Sequence, residues 1–265
     1  MRYHYFENRN YEDFAGGKVI YHKPGYTNFP VRLAGEIYMT CLHILNKQEG
    51  KTVVYDPCCG TGYLLTVLGF LCGDYISSIY ASDISVDIVA LAQSNLNLLH
   101  PEGLLARKMQ LKELYQKYNK PSHLAAINSV ESLANLINCR DTLINCTTFS
   151  ADVMNHNALS NQHFKADIVI TDVPYGNLVT WADKRTSLYT NDCSPVQGVL
   201  LKHCLNHVPP IDTLLHNITR FLHEDSVVAI CSDKSQKIAN PQFRRVKKIQ
   251  AGKRKIEFFQ VNPAT

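Results

Sequence analysis

The stretch Thr52-Val53-Val54-Tyr55-Asp56-Pro57-Cys58-Cys59-Gly60-Thr61-Gly62-Tyr63-Leu64-Leu65 decides the fold. An apolar run ends in a carboxylate, a turn with two glycines follows, and the helical pattern Tyr63 to Leu71 begins at once. That order predicts strand, tight turn, helix. A turn that brings the backbone close to a ligand favours residues without a Cβ. The helix start adds N–H groups with no partner inside the helix. Asp56, at the strand end, can hold a cationic or hydroxylated ligand. These are the parts of a nucleotide-type crevice in an open α/β sheet.

The glycine spacing narrows the ligand. A dinucleotide fingerprint opening at Gly60 needs a third glycine at position 65, where Leu65 stands. The form Asp-Pro-x-Cys-Gly-x-Gly instead resembles motif I of class I S-adenosylmethionine (SAM) methyltransferases, with Cys58 in place of the usual first glycine. Three later segments keep that family's order. Ser78 to Asp83 reads as a second strand ending in a carboxylate that can accept ribose hydroxyls. Asp152 follows the apolar run Leu143 to Phe149 and can meet the adenine amino group. Asp167 to Asp172 reads as a buried strand leading into Val173-Pro174-Tyr175-Gly176. This last segment resembles the Asn/Asp-Pro-Pro-Tyr motif of base N-methyltransferases, with Val173 for the first proline. The resemblance implies a SAM site made of Asp56, Cys58, Gly60, Thr61, Gly62 and Tyr63, then Asp83 and Ile84, then Asp152 and Val153. It implies a Rossmann-like α/β sheet with helices on both faces.

Length and composition agree with one globular domain. The 265 residues are 45% hydrophobic and 19% charged, enough to bury a large core. No run of 18 apolar residues predicts a membrane span, and the start of the chain has no signal-peptide pattern. Nine cysteines, an odd number without metal spacing, suit a reducing cytoplasm and no metal. His203 and His207 stand four apart, but Cys204 between them fails the metalloprotease pattern. The net charge is only +4, yet Lys234 to Lys255 holds nine Lys/Arg and no carboxylate. Such a run can neutralise phosphates or form a solvated hairpin face. A lesser cluster is Arg107, Lys108, Lys112, Lys117 and Lys120.

Residues 1–50 read as an arm and a helix packed on a methyltransferase domain of residues 51–265. Val31, Ala34, Ile37, Tyr38, Cys41, Leu42 and Leu45 mark one face of that helix. Val86, Val89, Ala90, Ala92 and Leu96 predict the helix after Asp83. Pro101 opens one helical stretch and Pro121 a second, ending near Asn138. This pair reads as an insertion at about 101–140, either a buttress or an RNA-contacting arm. A polar loop with Trp181 covers 177–195, and helices are expected near 196–207 and 211–222. Ser226 to Ser232 reads as a strand. Arg244–Ile249 and Ile256–Val261 read as a closing β-hairpin around Ala251-Gly252.

Pro24-Gly25-Tyr26-Thr27-Asn28-Phe29-Pro30-Val31-Arg32-Leu33-Ala34 lies outside a generic methyltransferase core. With motif I and Asp172-Val-Pro-Tyr-Gly, it is similar to the avilamycin-resistance rRNA methyltransferase family, from about Val19 to Lys255. Ser232-Asp233-Lys234-Ser235-Gln236-Lys237-Ile238 stands where that family has Thr-Asp-Arg-Ser-Arg-Lys-Ile. The resemblance implies methylation of one guanine of 23S rRNA at ring N1, in free RNA or in the large subunit. For such an RNA substrate, Arg32, Lys234, Lys237, Arg244, Arg245, Lys247, Lys248, Lys253 and Arg254 are the candidate contacts. The chain reads equally as a resistance or a housekeeping enzyme, and no apolar seam predicts a dimer.

Guanine N1 is a poor nucleophile until its proton leaves. Asp172 is the candidate to accept that proton. Its rival role is to orient the N1/N2 edge while solvent takes the proton. Pro174 stiffens the loop and presents its carbonyl. Tyr175 is placed to stack on an extruded base, and Trp181 to stack or to anchor a lid. The competing functions are guanine-N2 or adenine-N6 methylation, small-molecule methylation, a nicotinamide-dependent oxidoreductase and a catalytically idle RNA-binding protein.

Overall fold

The computed structural model describes residues 2–47, 50–173 and 210–263. Seven strands form one sheet: β1 (Thr52–Asp56), β2 (Ile76–Asp83), β3 (Asn145–Ser150), β4 (Ala166–Asp172), β5 (Leu222–Asp233), β6 (Phe243–Ala251) and β7 (Arg254–Val261). Their order is β3-β2-β1-β4-β5-β7-β6. β7 runs antiparallel to β5 and β6, and the β1–β2, β1–β4, β2–β3 and β4–β5 pairs are parallel. From β1 the chain first builds outward through β2 and β3, then returns to lay β4 on β1's other side. The carboxyl ends of β1 and β4 therefore flank the point where strand order reverses, the place where such sheets bind ligands.

Five helices contribute to one core: α1 (Val31–Leu45), α2 (Tyr63–Cys72), α3 (Val86–Asn97), α4 (Pro101–Tyr118) and α5 (Pro121–Asn138). On the other face, α6 (Pro210–Ile218) packs over Tyr55, Val169, Val228 and Phe259. Here Phe164 stacks on Tyr80 at 3.8 Å and on Phe221 at 4.6 Å between ring centroids. Offset or stacked aromatic contacts add a little to the area they bury. The sheet thus carries helices on both faces, as the class I resemblance implies. The expected helix near 196–207 lies outside the described residues.

Both prolines of the insertion sit in the first turn of their helices, where the missing N–H costs nothing. Asn119, with φ 48°, ends α4 in the left-handed region. Arg107 is not a surface cation: it is buried and donates to the carbonyls of Lys18 and Val19 at 2.9 Å each. Lys108 pairs with Glu131 across the two helices at 2.9 Å. Through Arg107 the helix pair fastens the N-terminal arm.

β5 begins at Leu222, four residues before the expected Ser226. The exposed His223-Glu224-Asp225 has the composition of a loop, but the strand shifts register there. Ser226 holds the irregularity, its hydroxyl accepting from His223 N and donating to Ala166 O, both at 2.7 Å. The helix expected over 211–222 accordingly ends at Ile218, with one 3-10 turn over Thr219–Phe221. β6 and β7 join through Gly252-Lys253, with Ala251 facing Arg254. Gly252 has φ +59°, as the first position of a type II′ hairpin turn requires. Among the described residues, no helix is long and apolar enough to cross a membrane.

Candidate active site

Asp56, Asp83 and Asp172 end β1, β2 and β4 at the same edge of the sheet. They line one cavity of about 390 Å³. Cys58, Gly60, Thr61 and Tyr63 line it too, together with Lys253 and Arg254 from the hairpin. The cavity therefore carries carboxylates at its base and cations on one wall.

The turn after β1 is shaped by its own carboxylates. Asp56 Oδ1 accepts the Cys58 N–H at 3.0 Å. Asp83 bridges two segments, accepting Gly60 N–H on Oδ2 at 3.0 Å and Ser85 N–H on Oδ1 at 3.1 Å. Gly60 and Gly62 have φ of 53° and 72°, conformations an L side chain adopts at a cost. A Cβ on Gly62 would also stand 3.0 Å from Cα and Cβ of Ala92 on α3. Gly62 thus serves helix packing at the start of α2, beside the cavity and not on its wall. The two glycines of the motif have separate jobs.

Burial pushes the Asp56 carboxyl up to about 7, partly offset by the Thr171 hydroxyl and the Cys58 N–H. Asp172 and Asp83 raise it further by like charge. A buried carboxyl in an acidic corner is poised for a cationic ligand, whose charge would return it to the ionised form. The Cys58 and Cys59 thiols are raised first by burial and then by Asp56 and Asp83, so they are packing groups and not nucleophiles.

Asp172 meets Arg254 across the cavity, with Nη2 3.7 Å from Oδ2. The Arg254 guanidinium also lies 5.4 Å from the Phe29 ring centroid. Asp152 and Val153 follow β3 at the same sheet edge but do not line the cavity. Asp152 accepts the Met154 N–H at 3.0 Å, and the Val153 side chain is in the core. Ile84 is exposed. Pro174, Tyr175, Trp181, His203 and His207 lie outside the described residues.

Besides Arg254, the expected RNA contacts divide into three groups. Lys234, Lys237, Arg244, Lys247, Lys248 and Lys253 are exposed on or beside the hairpin. Arg245, also exposed, pairs at 2.6 Å with Glu257, which is 1% exposed and also pairs with the buried Lys255. Arg32 is engaged by the arm instead, donating to Phe6 O at 2.8 Å with Tyr3's ring 3.9 Å away.

Sequence reasoning missed one wall. Tyr26, Thr27 and Phe29 of the N-terminal arm line the cavity, with Tyr26 3.7 Å from where a Gly60 Cβ would stand. Burial, then the charge of Asp83, raises the Tyr26 hydroxyl. The arm is fixed by Asn95, which has no solvent exposure. Asn95 accepts from Tyr21 N at 2.7 Å and donates to the carbonyls of Tyr21 and Thr61, at 3.0 and 2.9 Å. Tyr63 adds a bond from its hydroxyl to Phe14 O at 2.8 Å. One buried amide thus links the arm to the glycine turn. The signal for this wall was the Pro24–Ala34 segment, which lies outside a generic methyltransferase core.

A family model described as rRNA methyltransferase AviRa matches residues 1–254. The chain is 33% identical over 253 residues to a protein of Streptomyces viridochromogenes named 23S rRNA (guanine(2535)-N(1))-methyltransferase. That alignment covers 95% of this chain and 92% of the relative. Two solved structures of rRNA methyltransferase AviRa from the same organism superpose with TM-scores of 0.77 and 0.76. The first is 30% identical and covers 96% of this chain and 94% of its own; the second is 32% identical and covers 95% and 93%. The match runs through the arm, the helical insertion and the hairpin as well as the sheet, and the chain belongs to the AviRa family of rRNA methyltransferases.

Proposed function

We propose that this enzyme transfers a methyl group from SAM to ring N1 of one guanine in 23S rRNA. The observation that carries the reading is the cavity with Asp56, Asp83 and Asp172 at its base and the basic hairpin at its side. The residues fit SAM. Its ammonium and sulfonium are cations, and the raised carboxyl of Asp56 is a cost of burial that a bound cation would offset. When bound, SAM supplies the methyl electrophile. Asp56 holds the methionine amino end, and Gly60 lets the backbone close in. Asp83 keeps lone pairs for the ribose hydroxyls beyond its two backbone bonds. Asp152 and Val153 are assigned to the adenine end. Asp172 faces the target base and takes the N1 proton. Pro174 and Tyr175, which follow it in the chain, are assigned to presenting and stacking that base.

The exposed cations of the hairpin hold phosphates and set the orientation of the RNA. The relative named as a 23S rRNA guanine-N1 methyltransferase supports the choice of base and atom. The test is methyl transfer from labelled SAM to 23S rRNA, naked and in 50S particles, followed by digestion and mass spectrometry of the nucleosides. One-methylguanosine is expected. N2-methylguanosine or N6-methyladenosine would sink the N1 assignment and keep the cofactor.

A further inference from the structure

We propose that Arg254 is a catalytic residue whose guanidinium holds O6 of the target guanine while Asp172 takes the N1 proton. This rests on the reading of the target given above and adds the group that selects guanine and carries the developing charge.

Arg254 differs from the exposed cations of the hairpin. Arg244, Lys247 and Lys248 are exposed, whereas the Arg254 side chain is 24% exposed, as is that of Asp172. Because β7 is antiparallel, its first residue lies at the carboxyl edge of the sheet, opposite Asp233 at the end of β5. That places Arg254 inside the cavity, with Phe29 beside its guanidinium. The separation of 3.7 Å from Asp172 is an ion-pair distance, longer than a hydrogen bond. The two groups attract at this separation, and the edge of a base can bridge them.

Guanine presents N1–H beside O6, a donor next to an acceptor. A carboxylate accepts from the first and a guanidinium donates to the second. Adenine presents the reverse, an acceptor at N1 beside an amino donor. It would set lone pairs against the carboxylate and N–H against the guanidinium. The pair therefore discriminates by repulsion as well as attraction.

The same pair balances the reaction. The N1–H bond breaks and the proton passes to the Asp172 carboxylate. The N1 electron pair forms the new bond to the methyl carbon. The carbon–sulfur bond breaks and its electrons return to sulfur as a neutral thioether. Charge released at N1 is shared with O6. At that moment Asp172 has become neutral, and the guanidinium transfers its attraction from the carboxylate to the oxygen. A fixed donor aimed at developing charge is a large contribution to rate.

The experiment is single-turnover kinetics on saturating rRNA with the unaltered enzyme, R254M, R254K, D172N and the D172N/R254M double variant. SAM binding by calorimetry and thermal melting accompany each. R254M should lose about 10²–10³ in rate, with rRNA KM and SAM Kd changed by no more than about threefold. R254K keeps the charge without the planar fork and should lie between, about tenfold down. The double variant should fall little below D172N, because the two groups act as a unit. A loss confined to rRNA KM, or independent losses that multiply, overturns the proposal. Should R254M fail to fold, an R254K rate equal to the unaltered enzyme overturns it as well. A product other than 1-methylguanosine from the unaltered enzyme overturns both readings, whereas that product with R254M acting only through KM overturns this one alone.

Discussion

Asp56 and Asp83 accept N–H groups from the two βα turns, Asp56 with the Thr171 hydroxyl as well, whereas Asp172 stands against the side chain of Arg254 on β7. The first pair accepts N–H groups from Cys58, Gly60 and Ser85, all within or just after the two βα turns. Asp172 meets Arg254, the first residue of the last strand. The half proposed for the cofactor thus draws mainly on the two βα turns. The half proposed for the reaction is assembled only when β7 has joined the sheet and brought Arg254 to Asp172. A binding cradle gains from rigidity; a proton-accepting site needs a partner it can leave.

The largest break in this contrast should come from D172N. It should lower kcat by about 10²–10⁴ if Asp172 takes the proton, while SAM Kd stays within about threefold. Full activity in rapid-quench assays would eliminate the proton-acceptor role.

Next comes G62A. The left-handed φ and the close approach to Ala92 should cost about 1–3 kcal/mol. Urea melts should show it as a lowered midpoint with unchanged slope. An unchanged midpoint would mean that α2 and α3 can separate freely.

D56N sharpens the comparison by pH. The Asp56 carboxyl, raised to about 7, binds a proton in the unliganded fold where the unfolded chain does not, between about pH 4 and 7. Its contribution to stability therefore grows as pH falls from 7 towards 4 and is lost as pH rises through 7. SAM, as a cation, prefers the ionised form, so its affinity should weaken below pH 7 by up to about tenfold per unit. D56N should flatten both trends. Calorimetry in two buffers, reading protons released, checks this; the same pH slope in D56N would assign it elsewhere.

The smallest effect is on the hairpin. Replacing Lys247 and Lys248 with Gln should lower the salt slope of rRNA binding by about 0.7–0.9 for each phosphate that these lysines neutralise. Rates at saturating RNA should not move. A drop in kcat would place these lysines in the reacting half.

Much of the cavity lining was legible because Asp56, Cys58, Gly60, Thr61 and Tyr63 are neighbours in sequence. Apolar runs ending in Asp56, Asp83 and Asp172 marked three strands, and Gly252 marked the hairpin. The rest depends on distant partners. Asn95 looks like any polar helix residue until its amide is found between Tyr21 and Thr61. Arg254 is one of nine cations in a run, and only the antiparallel course of β7 moves it into the cavity. Arg107 reads as part of a basic patch, yet two backbone carbonyls of the arm take its charge inside. The early start of β5 was hidden by three polar residues at an irregular pairing.

The tether of the arm also has a consequence for synthesis. Residues 18–21 emerge from the ribosome before Asn95 and Arg107, which hold them and which follow only after α3 and part of α4 have been made. At about 5–20 residues per second, the opening segment must wait roughly 4–17 s for its anchors. During that interval Tyr21 lacks its partners, so this segment is open to chaperones and proteases until its anchors are made. Arrested nascent chains should become resistant to cleavage near Tyr21 only once residue 107 has cleared the exit tunnel.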